Sequence, residues 1–175
     1  YKGAAVVKEG DLVVDAKCGN GKDTMFVDNC VGSGGRVYAF DVQKEAINKS
    51  EQIIKQKGLR DRVSFFNEGH EKISSLLKEP IKAAMFNLGY LPGGNHEIIT
   101  KAETTKKALE GLFSILQKGG LISIMAYTGH LGGLEEKKAL QEYLEGLGQR
   151  YYTVLHYNFI NQINSPPELF LIEKQ

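Results

Sequence analysis

Hydrophobic and polar positions change period repeatedly along this chain. Five short apolar runs come first: Asp11–Asp15 (DLVVD), Arg36–Asp41 (RVYAFD), Val63–Asn67 (VSFFN), Ala83–Asn87 (AAMFN) and Leu121–Tyr127 (LISIMAY). They are short, β-branched or aromatic, and read as strands. Most are too apolar for a sheet with one wet face, and continuous apolar runs are expected where a parallel strand is covered on both sides.

Helical spacing separates them. Ala46, Ile47, Ser50, Ile53 and Ile54 form one stripe, with Gly58 as a C-terminal stop. Thr100-Lys101-Ala102-Glu103 has the form of a capping box, threonine at the N-cap and glutamate three residues on. Ala108, Leu109, Leu112, Ile115 and Leu116 then predict a buried stripe ended by Gly119-Gly120. Leu140, Tyr143, Leu144 and Leu147 predict a further helix ending near Gly148. In the tail, Tyr152–Phe159 and Leu169–Ile172 read as strands joined by a loop holding Ser165-Pro166-Pro167. No helix fits between them, so they should pair antiparallel.

Five strand–helix units and a hairpin predict an α/β, Rossmann-like doubly wound sheet of about seven strands, mostly parallel with a C-terminal antiparallel hairpin. The expectation is a single domain over residues 1–175. Ligands of such sheets lie outside the carboxyl ends of the strands, where strand order reverses. Segments 15–24, 41–43, 67–71 and 87–94 fall there.

Composition narrows the class. The chain is 42% hydrophobic and 25% charged, the balance of a folded globular protein. No run approaches the eighteen apolar residues of a membrane span, and no basic-then-apolar leader opens the chain. Lys plus Arg number 22 against 21 Asp plus Glu, so a nucleic-acid partner would need a local basic patch. Candidate patches are Lys101 with Lys106 and Lys107, Lys137 with Lys138, and Lys72 with Lys78 and Lys82; each has glutamates nearby, as an ordinary solvated helix face does. Cys18 and Cys30 make neither a disulfide framework nor a zinc ligand set, so no metal is expected and a reducing, cytoplasmic setting is.

The candidate chemistry begins in Asp15–Thr24 (DAKCGNGKDT), directly after the first strand. Gly19 and Gly21 permit a sharp turn and a close ligand approach. Asp41, twenty residues after Gly21, closes the second strand where a carboxylate can accept from ribose hydroxyls, with Gln43 beside it. The third glycine of a dinucleotide site is absent: Thr24 stands there, and Asp23 at the helix start would repel phosphates. Such a site suits a nucleoside without phosphate and with a cationic end, as in S-adenosylmethionine, whose amino group Asp15 could hold. Helix capping or a solvated turn is the plainer account of Asp15 and Asp23.

After the fourth strand, Asn87–Gly94 (NLGYLPGG) brings an amide oxygen, a backbone carbonyl and an aromatic ring to the same edge. Those groups suit methyl transfer to nitrogen. The oxygens accept the amine's hydrogens and aim its lone pair, and the ring of Tyr90 can stack on a planar base. Alignment of this kind can supply roughly 7–11 kcal/mol of a barrier. A glycine-rich turn with Tyr90 in the core is the alternative.

The motifs DAKCGNGKDT, AFDVQ (39–43), Gly69-His70-Glu71, MFNLGYLPGG (85–94), Glu103-Thr104-Thr105, YTGHLGG (127–133) and NQINSPP (161–167) together resemble class I S-adenosylmethionine-dependent methyltransferases, and more narrowly the small family labelled rRNA methylases. Members of that family methylate the 5-aminomethyl group of the tRNA wobble uridine to give 5-methylaminomethyl-2-thiouridine. The resemblance implies that Asp15, Gly19, Asn20, Gly21 and Asp23 line the cofactor S-adenosyl-L-methionine. It puts Asp41 and Gln43 on its ribose and adenine side, and His70 and Glu71 near the adenine. It implies that Asn87, Gly89 and Tyr90 face the transferred methyl, and that the anticodon stem-loop of tRNA is the partner. Two positions depart from the pattern: Lys17 replaces the usual threonine, and Asn-Leu-Gly-Tyr lacks the prolines of the commoner Asn-Pro-Pro-Tyr motif.

His130 could take a proton from a substrate ammonium, or be a loop histidine bonded to backbone. His96 reads as a solvated loop residue, His156 as structural, Cys18 as a small buried filler, and Ser165-Pro166-Pro167 as a rigid turn. Other acceptors (rRNA or a small-molecule amine), a nicotinamide-dependent oxidoreductase and a non-catalytic binding module remain as alternatives. Oligomeric state is open, a homodimer included.

Overall fold

A computed structural model describes residues 6–89 and 99–175 of the chain. Seven strands form one sheet: β1 (Leu12–Asp15), β2 (Arg36–Phe40), β3 (Val63–Phe66), β4 (Ile81–Leu88), β5 (Leu116–Ala126), β6 (Tyr152–Tyr157) and β7 (Glu168–Lys174). Their order is β3-β2-β1-β4-β5-β7-β6. β1 to β5 run parallel, and β7 pairs antiparallel with both β5 and β6, as the sequence pattern predicts. Strand order reverses between β1 and β4, which opens a crevice there.

Helices α1 (Lys22–Val31) and α2 (Lys44–Gln56) cover one face; α3 (Ile73–Leu76), α4 (Ala102–Ile115) and α5 (Gly133–Glu145) cover the other. The core divides accordingly. Val13, Val37, Ala39 and Met85 face Val27, Val31 and Ile54. Val14, Phe40, Phe86 and Ile124 face Ile73, Leu109, Leu112 and Leu140. Successive strand residues thus enter opposite layers, which is why the runs are apolar throughout.

Several boundaries differ from the sequence reading. Gly119-Gly120 does not end α4: the helix stops at Ile115, and β5 already begins at Leu116. The register jumps from Ile81 opposite Leu116 to Ala83 opposite Leu121. The glycines sit in that bulge, Gly119 at φ +65, where Lys82 Nζ donates to its carbonyl at 2.9 Å. Leu116 stays buried either way, so its burial could not distinguish helix from strand.

The capping box does not form. Lys101 is the N-cap of α4 and makes no side-chain cap bond. Thr100 donates instead to the buried carboxylate of Glu136 at 2.8 Å, and Glu103 pairs with Lys106. The Thr100 hydroxyl oxygen already accepts from the Gly89 N–H at 2.8 Å, which takes the acceptor role that a cap on α4 would need. α5 ends at Glu145 with Gly146 as C-cap, ahead of Gly148. The unit after β3 has only a 3₁₀ turn over His70–Lys72 and the single-turn α3. Among the described residues no helix is long and apolar enough to cross a membrane.

Candidate active site

The glycine turn is built from below. Asp15, 1% exposed at the end of β1, accepts from Thr24 Oγ1 at 2.7 Å and from the Lys17 N–H at 3.3 Å. Burial pushes its carboxyl up to about 7, and its neighbours Asp23 and Asp41 add to that. Asp15 therefore braces the turn against α1, and it lines neither of the cavities above it. Asp41 braces the same turn from β2. Its two oxygens accept from Gly19 N–H at 3.0 Å and Gln43 N–H at 2.9 Å. Gly21, the N-cap of α1, has φ +74, and a Cβ there would lie 2.9 Å from Ser50 Oγ. A side chain would force α1 off α2.

Two cavities open along the carboxyl ends of the strands. The smaller, about 280 Å³, is lined by Asp41, Val42, Gln43, Gly69, His70, Glu71 and the start of α4. The larger, about 530 Å³, lies at the crevice between β1 and β4. Cys18, Gly19, Asn20, Asp23, Asn87, Gly89, Tyr127, His130 and Ser165 are among its walls. Lys17 borders both. The residues expected on the ribose and adenine side therefore share one chamber, and those expected at the reacting methyl share the other. Tyr90 and His96 lie outside the described residues.

Polar groups in these chambers are available for a ligand. Asn20 Oδ1 is buried without a hydrogen-bond partner among the described residues. Such an acceptor calls for a donor. His70 is buried edge-on to Phe86, with its Nε2 3.2 Å from Thr104 Oγ1. Burial lowers its pKa, so the ring enters this chamber neutral at pH 7. Burial likewise lowers the Lys17 ammonium, against the pull of Asp41 and Asp15. The Cys18 thiol is driven upward by burial, which makes it an inert wall.

At the end of β4, Asn87 Nδ2 donates to Asp23 Oδ2 at 2.5 Å. That uses the donor end of the amide and leaves its oxygen as an acceptor for an amine. Gly89 has φ +124; its N–H donates to Thr100 Oγ1 at 2.8 Å, and its carbonyl accepts from the Thr100 N–H at 3.3 Å. This carbonyl, expected to receive the amine's hydrogens, keeps its second lone pair.

Residues 37–173 match the family described as "Putative rRNA methylase". The chain belongs to this family. A crystal structure of a "putative rRNA-methylase" from Clostridium thermocellum superposes with a TM-score of 0.96 at 45% identity, covering 98% of this chain and 92% of that one. A "putative methyltransferase" from Streptococcus mutans, crystallised in complex with SAH, superposes at 0.91 with 38% identity, covering 99% and 93%. The chloroplastic tRNA (mnm(5)s(2)U34)-methyltransferase of Arabidopsis thaliana is 39% identical over 97% of this chain and 66% of its own length. The chain spans about two thirds or less of the length of the curated relatives it matches.

Within this methylase fold three side chains escaped the sequence reading. Glu136 is 7% exposed in the first turn of α5. Its signal was present: with Leu140 and Leu144 it continues the buried stripe one turn upstream, a glutamate at an apolar position. Thr100 is a clamp on Gly89 and carries no such signal. Ser165 reaches the larger cavity from the β6–β7 loop, where Asn164 and Ser165 both have positive φ. His156 is structural, paired with Glu168 at 2.6 Å and stacked on Phe170.

Proposed function

We propose that this chain is an S-adenosylmethionine-dependent N-methyltransferase that acts on the 5-aminomethyl group of the tRNA wobble uridine and yields the 5-methylaminomethyl-2-thiouridine nucleoside. The observation that carries the reading is the pair of chambers meeting at Lys17, one walled by Asp41, Gln43 and His70, the other by Asn87. The SAH complex of the Streptococcus relative supports the cofactor, and the Arabidopsis relative supports the acceptor. The chemistry of the walls fits the cofactor: a carboxylate at the tip of β2, an unsatisfied amide oxygen at Asn20, and glycine backbone between them.

Asp41 would hold the ribose hydroxyls while keeping the glycine turn in place, and Gln43, His70 and Glu71 would enclose the adenine. Asn20 and Asp23 would hold the amino-acid end. Bound S-adenosylmethionine supplies a methyl group made electrophilic by its sulfonium. Asn87 then orients the amine through its free oxygen, anchored by Asp23. The base itself must leave its stack to reach a chamber of this depth. The anticodon stem-loop of tRNA is the proposed macromolecular partner. Cys18 and Cys30 are both free thiols, which suits action in a reducing, cytoplasm-like compartment.

The test is transfer of labelled methyl from S-adenosylmethionine to tRNA carrying 5-aminomethyl-2-thiouridine, read by nucleoside mass spectrometry. A mass gain of one methyl on that nucleoside is expected. Methylation found only on rRNA or on a small amine would replace the acceptor and keep the cofactor.

A further inference from the structure

Lys17 stands between the two chambers and lines both. It is half-buried, and its backbone N–H donates to Asp15 Oδ1 at 3.3 Å. Among the described residues no hydrogen bond or ion pair holds its ammonium. The carboxylates of the turn are already committed. Asp15 accepts from Thr24 Oγ1 and from that same Lys17 N–H, and Asp41 accepts from the N–H groups of Gly19 and Gln43. An ammonium partly withdrawn from water, with no fixed anion beside it, is stabilised by an anion that the site admits.

Its counterpart stands three residues along the same turn. Asn20 Oδ1 is buried, lacks a hydrogen-bond partner among the described residues, and belongs to a residue that lines the larger chamber with Lys17. One turn thus presents an ammonium without an acceptor and an oxygen without a donor. An α-amino-acid group answers both, because at neutral pH it carries a carboxylate and an ammonium on one carbon.

Two other basic side chains share this cavity and suit the carboxylate less well. Lys22 is exposed at the start of α1, where water already solvates it. His130 is confined between Gly89 and Gly133, where an added Cβ would lie 3.0 Å from Nε2 and 2.8 Å from Nδ1. Its Nδ1 is already 3.2 Å from the Leu131 carbonyl.

We propose that Lys17 is a cofactor-specificity residue: its ammonium binds the carboxylate at the amino-acid end of S-adenosylmethionine, while Asn20 Oδ1 accepts from the amino group of that end. The inference rests on the S-adenosylmethionine reading above and adds to it a requirement for the carboxylate. Threonine, the residue usual at this position in the family, has no charge with which to impose that requirement, so it belongs to this chain.

Two ligands that differ only in the carboxylate test this directly. S-adenosylmethionine and its decarboxylated analogue are each titrated by calorimetry into the full chain and its variants. Wild type should bind S-adenosylmethionine about tenfold or more tighter than the analogue, the scale of one charge-assisted hydrogen bond. In Lys17→Met and in Lys17→Thr that preference should shrink to within about threefold, by weaker binding of S-adenosylmethionine alone. Lys17→Arg should keep it. Asn20→Ala should weaken both ligands by the same factor, because both carry the amino group.

A preference preserved in folded Lys17→Met and Lys17→Thr overturns the proposal, as does its loss in Lys22→Met instead. Equal weakening of both ligands by the Lys17 variants would make the residue a prop of the turn and overturn it too. A fall in tRNA affinity with both ligand affinities unchanged would assign the ammonium to a substrate phosphate and have the same consequence. In each of these cases wild type still binds S-adenosylmethionine, and the function proposed above stands. A wild-type protein that binds neither ligand would sink that function and this inference together.

Discussion

The two chambers are walled from different depths of the chain. Around the smaller one, Asp41 and Gln43 stand within three residues of the end of β2, and the backbone N–H groups of Gly19 and Gln43 hold the Asp41 carboxylate. Around the larger one, the polar groups reach across the molecule by side chain. Asn87 bonds Asp23, sixty-four residues away, and Gly89 is held by the side chain of Thr100, eleven away, which itself bonds Glu136. The first chamber depends mainly on the tip of β2, and the second on side chains brought together from α1, β4 and the loops after β5 and β6. Binding a nucleoside needs fixed donors and acceptors at a known edge, which topology supplies. Orienting one particular nucleophile needs side chains from several elements at once.

The largest effect should come from Asp41→Ala. It removes two charge-assisted bonds, each worth roughly 1.5–3 kcal/mol, and with them the geometry of the glycine turn. Calorimetry should show S-adenosylmethionine affinity lower by a hundredfold or more. Unchanged affinity would dissolve the distinction between the chambers, because the strand-tip carboxylate would then hold nothing.

Asn87→Ala should do the opposite. Its single-turnover rate should drop by about ten- to a hundredfold, while cofactor affinity changes only a few-fold. Equal losses in both would mean that the chambers act as one.

Asp15→Asn probes the brace beneath them. With its carboxyl raised to about 7 in the folded protein against an ordinary value of 3.8, native Asp15 binds its proton more tightly than the unfolded chain does. Wild-type stability should therefore fall as pH rises from about 4 to about 7, and this loss is absent in the asparagine variant. The difference in melting temperature should move in the variant's favour across that window. A pH-independent difference would contradict the burial argument.

The smallest effect belongs to Glu103→Ala. Glu103 is exposed, and among the described residues its one ion pair is with Lys106, so denaturant titration should find a change within about 0.5 kcal/mol. Thr100→Val should cost about 1–3 kcal/mol, because Thr100 serves Gly89 and Glu136. The reverse ranking would reinstate the capping box.

Much of the first chamber was legible in the sequence. The second strand ends at Phe40, and Asp41 and Gln43 just beyond it are placed by that local geometry alone. The second chamber was legible only in part. Asn87 follows from the end of β4, and the Tyr127–Gly133 string marks a loop of consequence. That His130 lies between Gly89 and Gly133, or that Thr100 serves Glu136 rather than α4, depends on a competition between partners distant in the chain. A capping box is a local preference of about 1 kcal/mol. The Gly89 N–H and the buried Glu136 carboxylate, which use the hydroxyl as acceptor and as donor, together outweigh it, and nothing within ten residues of Thr100 reveals that either will be there.

The amino-acid order by itself determined the sheet, its two faces and the edge at which ligands meet it, because period and apolarity are short-range properties that each segment carries alone. Tertiary structure decided which strand absorbed Gly119-Gly120, which oxygen Thr100 binds and which glycines flank the His130 ring. Those choices are settled by desolvation: a polar group withdrawn from water takes the best partner within reach, and reach is known only once the layers have packed.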